Sequence, residues 1–180
     1  MEAATVPTPL GPLSLVTVEQ GILASGLTDR PETLLAELPA PRHTEPLRVL
    51  DTAPAYCASA LQDYFDGRLD AIDALPVVQT GSAFRLAAWR EMRQVAPGTT
   101  ISYQELAAAA GRPGAARAAG ASCAYNLVPV IVPCHRVRRA DGNLGGYYYG
   151  LHIKRWLLAH ERGERGLLPP AAPLAPGSSR

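Results

Sequence analysis

Between Pro12 and Val18 the chain reads Pro-Leu-Ser-Leu-Val-Thr-Val, apolar positions alternating with Ser, Thr and small groups. Ile22 to Leu27 resumes the pattern after Glu19-Gln20-Gly21. Period-two alternation interrupted by a glycine turn predicts strands within residues 12–27. Pro31 to Leu38 predicts a short helix, with Asp29 as its N-cap and Pro31 in its first turn. The prolines of 39–46 predict a loop. Tyr56, Ala60, Leu61, Tyr64 and Phe65 recur at helical spacing, so Ala53 to Phe65 predicts a helix ending before Gly67. Together these elements predict an α+β module.

The second half reads as mainly helical. From Ser82 to Val95, Phe84, Ala88, Met92 and Val95 form one stripe with Trp89 beside it. Ser102-Tyr103-Gln104-Glu105 is a capping box, in which hydroxyl and carboxylate each satisfy an orphan backbone donor. It predicts a helix over Glu105–Ala110 that stops at Gly111. Pro113 suits the first turn of a further helix reaching Ala124, so two short helices joined by a Gly-containing turn are expected. Ile131 to Val137 is expected to be extended, Asp141-Gly142 to form a hairpin turn, and Leu151–Glu161 to form the last helix. Leu167–Arg180, rich in Pro, Gly and Ser, is expected to be a disordered tail. No internal repeat is visible. The expected division is 1–80, 81–166 and 167–180.

A chain of 180 residues with 47% hydrophobic and 18% charged residues can bury a core. The apolar run Leu127–Pro133 is too short to cross a bilayer, so no membrane association is expected. Met1–Ala4 carries no basic region ahead of an apolar stretch, so no signal peptide is expected. Three cysteines, Cys57, Cys123 and Cys134, do not make a disulfide framework, and a reducing, cytoplasmic setting is expected. The net charge of +1 disguises a split. Residues 1–81 hold 4 basic and 11 acidic residues, a net −7, and residues 82–166 hold 12 basic and 5 acidic, a net +7. The basic half is where a polyanion would bind.

Arg117, Gly120, Ala121 and Ala124 share one face of the helix ending at Ala124. That face is nearly bare. It fits tight packing on another helix, or close approach to a ligand. It lacks the Asn, Gln, Lys and multiple Arg side chains that read base edges in a major groove. A thin helix could instead enter a minor groove, with one long side chain acting as a wedge. Val132-Pro133-Cys134-His135-Arg136-Val137 is the most informative stretch for chemistry. A thiol needs a neighbouring base to become a nucleophile near neutral pH, and an imidazole base needs a carboxylate to orient it. Glu91, Glu105, Asp141, Glu161 and Glu164 are the candidates in the basic half. A zinc site is disfavoured, because His43, His135, His152 and His160 are scattered and no Cys-x-x-Cys occurs.

Ile131 to Val137, IVPCHRV, resembles the active-site segment of the O6-alkylguanine-DNA alkyltransferases, the methylated-DNA–protein-cysteine methyltransferases. Ser102–Ala107 (SYQELA) resembles the first helix of the family's helix-turn-helix, Ala116-Arg117-Ala118 the start of its recognition helix, and Asn126 its hinge asparagine. Gly145-Gly146-Tyr147 and Lys154–Glu161 (KRWLLAHE) resemble its closing loop and last helix. The blocks fall in family order between Phe84 and Glu161. The first 80 residues resemble the family in layout only.

The resemblance implies an α+β fold in which a small strand-rich N-terminal module packs on a mainly helical C-terminal winged helix-turn-helix domain. It implies a monomer acting on double-stranded DNA that carries alkylated guanine, without cofactor or metal. Cys134 would take the alkyl group, His135 would act as its base through a water, and Glu161 would hold the imidazole. Asn126 would link the recognition helix to the active-site segment. Tyr103 would donate to the departing guanine and press on the backbone that must rotate. Arg117 would fill the gap left by the flipped base, with Ala116, Gly120, Ala121 and Ala124 forming the DNA-facing surface. The Cys134 and Val137 carbonyls would accept from the guanine amine, and the Tyr148 amide would face the alkylated oxygen. Pro129, Tyr147, Gly145, Gly146 and Tyr149 would wall the pocket. Leu127 stands where most members have proline, and Tyr148 and Tyr149 where many have small residues. No cysteine precedes Cys57, so the first module lacks the zinc ligands of eukaryotic members. A lesion sensor without transfer, a winged-helix regulator and a cysteine hydrolase are the competing classes. Cys134, the bare helix face and the want of an oxyanion hole respectively argue against them.

Overall fold

The alternation over residues 12–27 produces strands β2 (Gly11–Val18) and β3 (Gly21–Leu27), paired antiparallel, with an irregularity at Val16/Thr17. The computed structural model describes residues 1–164, together with Gly166 and Pro169. The expected disordered tail, 167–180, lies outside the described residues apart from Pro169. The described chain forms two units, Met1–Gln79 with Leu127–Pro129, and Thr80–Asn126 with the residues from Val130 onward.

In the first unit a further strand, β1 (Glu2–Thr8), pairs antiparallel with β2. No strand was expected over residues 2–8, where Pro7 interrupts the run. The proline is tolerated because β4 (Arg48–Val49), the neighbour on the other side, pairs in parallel only with Glu2 and Ala3, leaving Pro7 no ladder bond to donate there. The sheet order is β3-β2-β1-β4. Every residue of β3 is buried, which is why Ala, Ser and Gly serve in it beside Ile and Leu. Helix α1 (Glu32–Leu35) buries Leu34, which joins Leu38, Ala3, Val16, Leu23 and Ala24 in one apolar cluster. Asp29 does not cap α1. Pro31 takes the cap position with no side-chain bond, because the chain from Gly26 to Arg30 is already held by Thr28, whose N–H reaches the Gly26 carbonyl and whose hydroxyl accepts from Arg30. The predicted loop at 39–46 contains one 3₁₀ turn, Arg42–Thr44. Helix α2 (Ala55–Phe65) buries Cys57, Leu61, Tyr64 and Phe65, whereas Tyr56, placed on the apolar stripe from the sequence, is 47% exposed. Within this unit Ser25 holds the short inserted segment, donating its N–H to the Leu127 carbonyl (2.8 Å) and its hydroxyl to that of Pro129 (2.8 Å).

In the second unit α3 (Ala83–Gln94) starts at an N-cap by Ser82 and buries Ala88, Trp89 and Met92. Strand β5 (Ile101–Ser102) leads into α4 (Tyr103–Ala109), and the capping box is complete: Glu105 N–H reaches Ser102 Oγ at 3.1 Å and Ser102 N–H reaches Glu105 Oε2 at 2.6 Å. Helix α5 (Ala116–Ala124) begins later than expected. Pro113 stands before it in a turn, because Gly114 adopts φ +87°, a left-handed step that no helix contains. Helices α3, α4 and α5 pack on one another, and Trp89 Nε1 donates to the Ser122 carbonyl at 2.8 Å. The stretch 131–137 is not extended. It forms a turn, then a 3₁₀ helix (Cys134–Arg136), and only then β6 (Val137–Arg138), parallel to β5. Pro133 removes one ladder donor, and Cys134 N–H turns back to the Val132 carbonyl. Asp141-Gly142 makes a turn, closed by Arg139 N–H to the Asn143 carbonyl, but no second strand follows, so it is not a hairpin. Helix α6 spans Leu151–Glu161 as expected.

Ser102 ends β5 and starts α4, and it thereby sets the position of Tyr103. Ser102→Ala is expected to cost about 1 kcal/mol in the denaturant-unfolding free energy, since the cap bond to Glu105 is lost.

Candidate active site

The segment from Asn126 to Val137 is shaped by backbone hydrogen bonds inside a buried environment. Asn126 Nδ2 donates to the Val132 carbonyl at 2.8 Å, and Cys134 N–H reaches the same oxygen at 2.8 Å. One carbonyl thus ties the end of α5 to the 3₁₀ turn. Val130, buried and β-branched, has φ +72°, a region such residues rarely occupy. Strain of that kind persists only where surrounding contacts over-determine the backbone, and it concentrates at functional sites. Cys134 sits at the start of the turn, buried, its carbonyl accepting from Val137 N–H.

His135, next in the chain, is fully buried, and its Nε2 lies 2.7 Å from Glu161 Oε1. Arg136 is buried as well. Its Nε meets both Glu161 oxygens at 3.1 Å, one terminal nitrogen meets Oε1 at 2.9 Å, and the other donates to the Val95 carbonyl at 2.6 Å. Glu161 Oε2 also accepts from Gly98 N–H at 3.0 Å. Burial would raise the Glu161 carboxyl, but its hydrogen bonds and charge interactions with His135 and Arg136 prevail and hold it far below the usual carboxylate range. Burial lowers His135 from its ordinary value, more than the contact with Glu161 raises it, and the charges of Arg136 and Lys154 push the same way. Arg136 is therefore the cation that balances Glu161, and the imidazole is neutral. An ionised carboxylate only accepts, so Nε2 carries the imidazole proton and Nδ1 carries the lone pair. Nδ1 is buried with no hydrogen-bond partner among the described residues. It is a base with an unused acceptor site beside a cysteine.

Tyr103 lies between two glycines. A Cβ on Gly145 would stand 2.6 Å from Tyr103 Oη, and one on Gly120 would stand 3.9 Å from the ring. Gly145 also has φ +69°, so glycine is required there twice over. Burial, then the neighbouring sulfurs of Cys123 and Cys134, push the Tyr103 phenol up to about 12, with Arg139 opposing. At neutral pH Tyr103 is a protonated donor. The same surroundings drive the Cys123 thiol upward, chiefly by burial, so it stays protonated. Lys154 is buried and donates to the Val137 and Leu144 carbonyls, both at 2.6 Å. Burial lowers its pKa while the two cysteines oppose.

Asn126 and Cys134 share the Val132 carbonyl, Val137 N–H bonds the Cys134 carbonyl, His135 bonds Glu161, and Tyr103 feels the charge of Cys134. On α5, Arg117, Ala121 and Ala124 are exposed, Ala116 and Gly120 partly so, and Ala119 and Ser122 are buried, so the bare face looks outward. Tyr149 is buried at the centre of an aromatic trio, edge-on to Tyr148 (5.0 Å between centroids) and Tyr147 (6.2 Å). That accords with a packing role for Tyr149. Pro129 belongs to the first unit and is described there. Sequence reasoning did not single out Arg136, Lys154 or Val130. Buried cations leave no mark in composition, although Arg136 beside His135 in an apolar run was a usable signal. Among the described residues no cluster of three or more His, Cys, Asp or Glu is placed to hold a metal, and no helix is long and apolar enough to cross a membrane.

Residues 83–163 match the family model described as the 6-O-methylguanine DNA methyltransferase DNA-binding domain, and residues 1–79 match that of its ribonuclease-like domain. A methylated-DNA–protein-cysteine methyltransferase of Salmonella typhimurium is 42% identical over 87% of this chain and 92% of its own. The Homo sapiens protein of that description is 38% identical over 89% and 80%. Among solved structures, the Mycobacterium tuberculosis OGT in complex with DNA superposes with a TM-score of 0.76 at 30% identity, covering 91% of this chain and 94% of that one.

Both charge states of the pair favour folding at higher pH. His135 is neutral when folded, so its contribution is complete above the ordinary histidine value of 6.5 and is lost as pH falls below it. Glu161 follows below 4.5. Between about pH 7 and pH 5 the urea midpoint of the wild type is expected to fall more steeply than that of His135→Gln. Glu161→Gln leaves Arg136 buried without a counter-charge, and at neutral pH it is expected to cost about 3–5 kcal/mol by the same measurement.

Proposed function

The chain belongs to the methylated-DNA–protein-cysteine methyltransferases, a family of DNA repair proteins, and from that premise we propose that it repairs O6-alkylguanine in duplex DNA by irreversible transfer of the alkyl group to Cys134. In this reading α4, the turn and α5 act as a winged helix-turn-helix, the wing being the turn and loop after β6. The exposed face of α5 lies in the minor groove, where Ala116, Gly120, Ala121 and Ala124 permit close approach. Arg117 enters the stack where the alkylated base leaves it. Extrusion costs a few kcal/mol and is required because the O6 edge lies inside the duplex.

Cys134 gives its proton to His135 Nδ1 through a water, and the sulfur attacks the saturated carbon on O6. The S–C bond forms as the C–O bond breaks, and the electron pair leaves with guanine, which takes a proton from Tyr103. The Val137 carbonyl accepts from the guanine amine, as does the Cys134 carbonyl. The Tyr148 amide faces O6, and Tyr147 and Tyr149 bound the base. The thioether has no route back, so one molecule serves one lesion without a cofactor. The observation that carries the reading is the His135–Glu161–Arg136 network. It leaves a neutral imidazole with a free lone pair adjoining Cys134.

Incubation with duplex DNA containing O6-methylguanine is expected to raise the intact mass by one methyl group, mapped to Cys134 and abolished in Cys134→Ala. Tight binding without a mass gain would overturn the reading in favour of lesion sensing. Arg117→Ala is expected to slow repair of duplex about tenfold, and reaction with free O6-benzylguanine much less, in a single-turnover assay. Equal losses on both would remove the wedge role.

A further inference from the structure

The exposed stripe of α5 does not end with the helix. Tyr125, four residues after Ala121 and eight after Arg117, continues it with near-helical backbone (φ −91°, ψ 11°) and an N–H bonded to the Ala121 carbonyl at 2.9 Å. Tyr125 is 52% exposed, an unusual state for a large aromatic. Against it rests Arg85, from the first turn of α3, with its guanidinium carbon 4.3 Å from the Tyr125 ring centroid and 5.9 Å from that of Trp89. Among the described residues no carboxylate pairs with Arg85. A guanidinium stacked on a ring keeps its N–H groups directed outward in its own plane, and its side-chain freedom is partly surrendered before any ligand arrives.

We propose that Arg85, held on the face of Tyr125, is a second DNA-positioning cation that binds a backbone phosphate of the duplex. The proposal rests on the reading that α5 faces DNA. Arg117 and Tyr125 stand about 12 Å apart along the helix axis at 1.5 Å per residue. The stripe therefore carries one cation at each end and only small side chains between them. That spacing corresponds to about three to four base steps of duplex. Arg117 is matched to the base stack, whereas Arg85 is matched to the sugar-phosphate rail beyond it. A phosphate contact positions the protein without reading sequence. Arg85 therefore fixes how far α5 slides along the groove and so keeps Arg117 in register with the extruded base. Tyr125 acts through Arg85 and is a positioning residue only.

The test measures the affinity of the full chain for a short fluorescent duplex, with and without O6-methylguanine, by anisotropy between about 50 and 200 mM salt. Arg85→Gln is expected to weaken binding to both duplexes alike and to reduce the slope of log K against log salt by about 0.9, the signature of one phosphate contact. Tyr125→Ala is expected to weaken binding several-fold, and Tyr125→Phe to restore it, because the ring face and not the hydroxyl holds the guanidinium. Thermal melting of each variant checks that the fold is intact, and Arg85→Lys, which keeps the charge, should retain the wild-type slope. An unchanged slope in Arg85→Gln, or a Tyr125→Phe variant as weak as Tyr125→Ala, overturns the proposal. If the wild type neither binds duplex nor gains a methyl group, the functional reading itself fails. If it does both while Arg85→Gln keeps the wild-type slope, only the role of Arg85 fails.

Discussion

The carboxylate of Glu161 is the point on which the second unit depends. It gathers His135 and Arg136 from the 3₁₀ turn and Gly98 from the loop after α3, and through Arg136 it reaches Val95, the C-cap of α3. Taking a carboxylate and a guanidinium out of water costs several kcal/mol each, and the cost is recovered only when geometry and hydrogen bonding are nearly complete. Here both oxygens and three guanidinium nitrogens are engaged. The completeness matters chemically too. Because Arg136 supplies the positive charge, His135 has no reason to be protonated, and the ion pair determines which imidazole nitrogen is basic.

A second constraint is spatial. Tyr103 occupies the space left by the absent side chain of Gly145 and lies in ordinary contact range of Gly120, so α5 and the loop before α6 approach a common ring. Lys154 braces the other side by spanning the carbonyls of Val137 and Leu144. Small residues and one buried ammonium thus define the same region from opposite directions.

Much of this was legible in the sequence, for reasons that can be named. The capping box located α4 because Ser102 and Glu105 satisfy backbone donors locally, although the helix begins at Tyr103, two residues before the expected Glu105. The last helix was legible at both its bounds, Leu151 and Glu161. The residues alone left five carboxylates open as partners of His135; the family resemblance implied Glu161, and the structure pairs the two. What was not legible depends on tertiary context. β1 was not expected, and its Pro7 is harmless only because β4 is two residues long. The 3₁₀ turn at Cys134 was hidden because a buried apolar run looks the same whether it is extended or folded back. The ion-pair partner of Glu161 lies 25 residues away in the chain, and nothing in local pattern connects them.

Trp89 and Trp156, the chain's two tryptophans, both lie in the second unit, on α3 and α6. The first unit contains tyrosines and a phenylalanine but no indole. Excitation at the red edge of the protein's absorbance therefore illuminates only the half that carries Cys134. The emission follows the packing of α3 and α6 and is blind to loosening of the four-stranded sheet. The molecule carries its own domain-selective optical label, and a difference between that signal and far-ultraviolet circular dichroism separates the two units without any added probe.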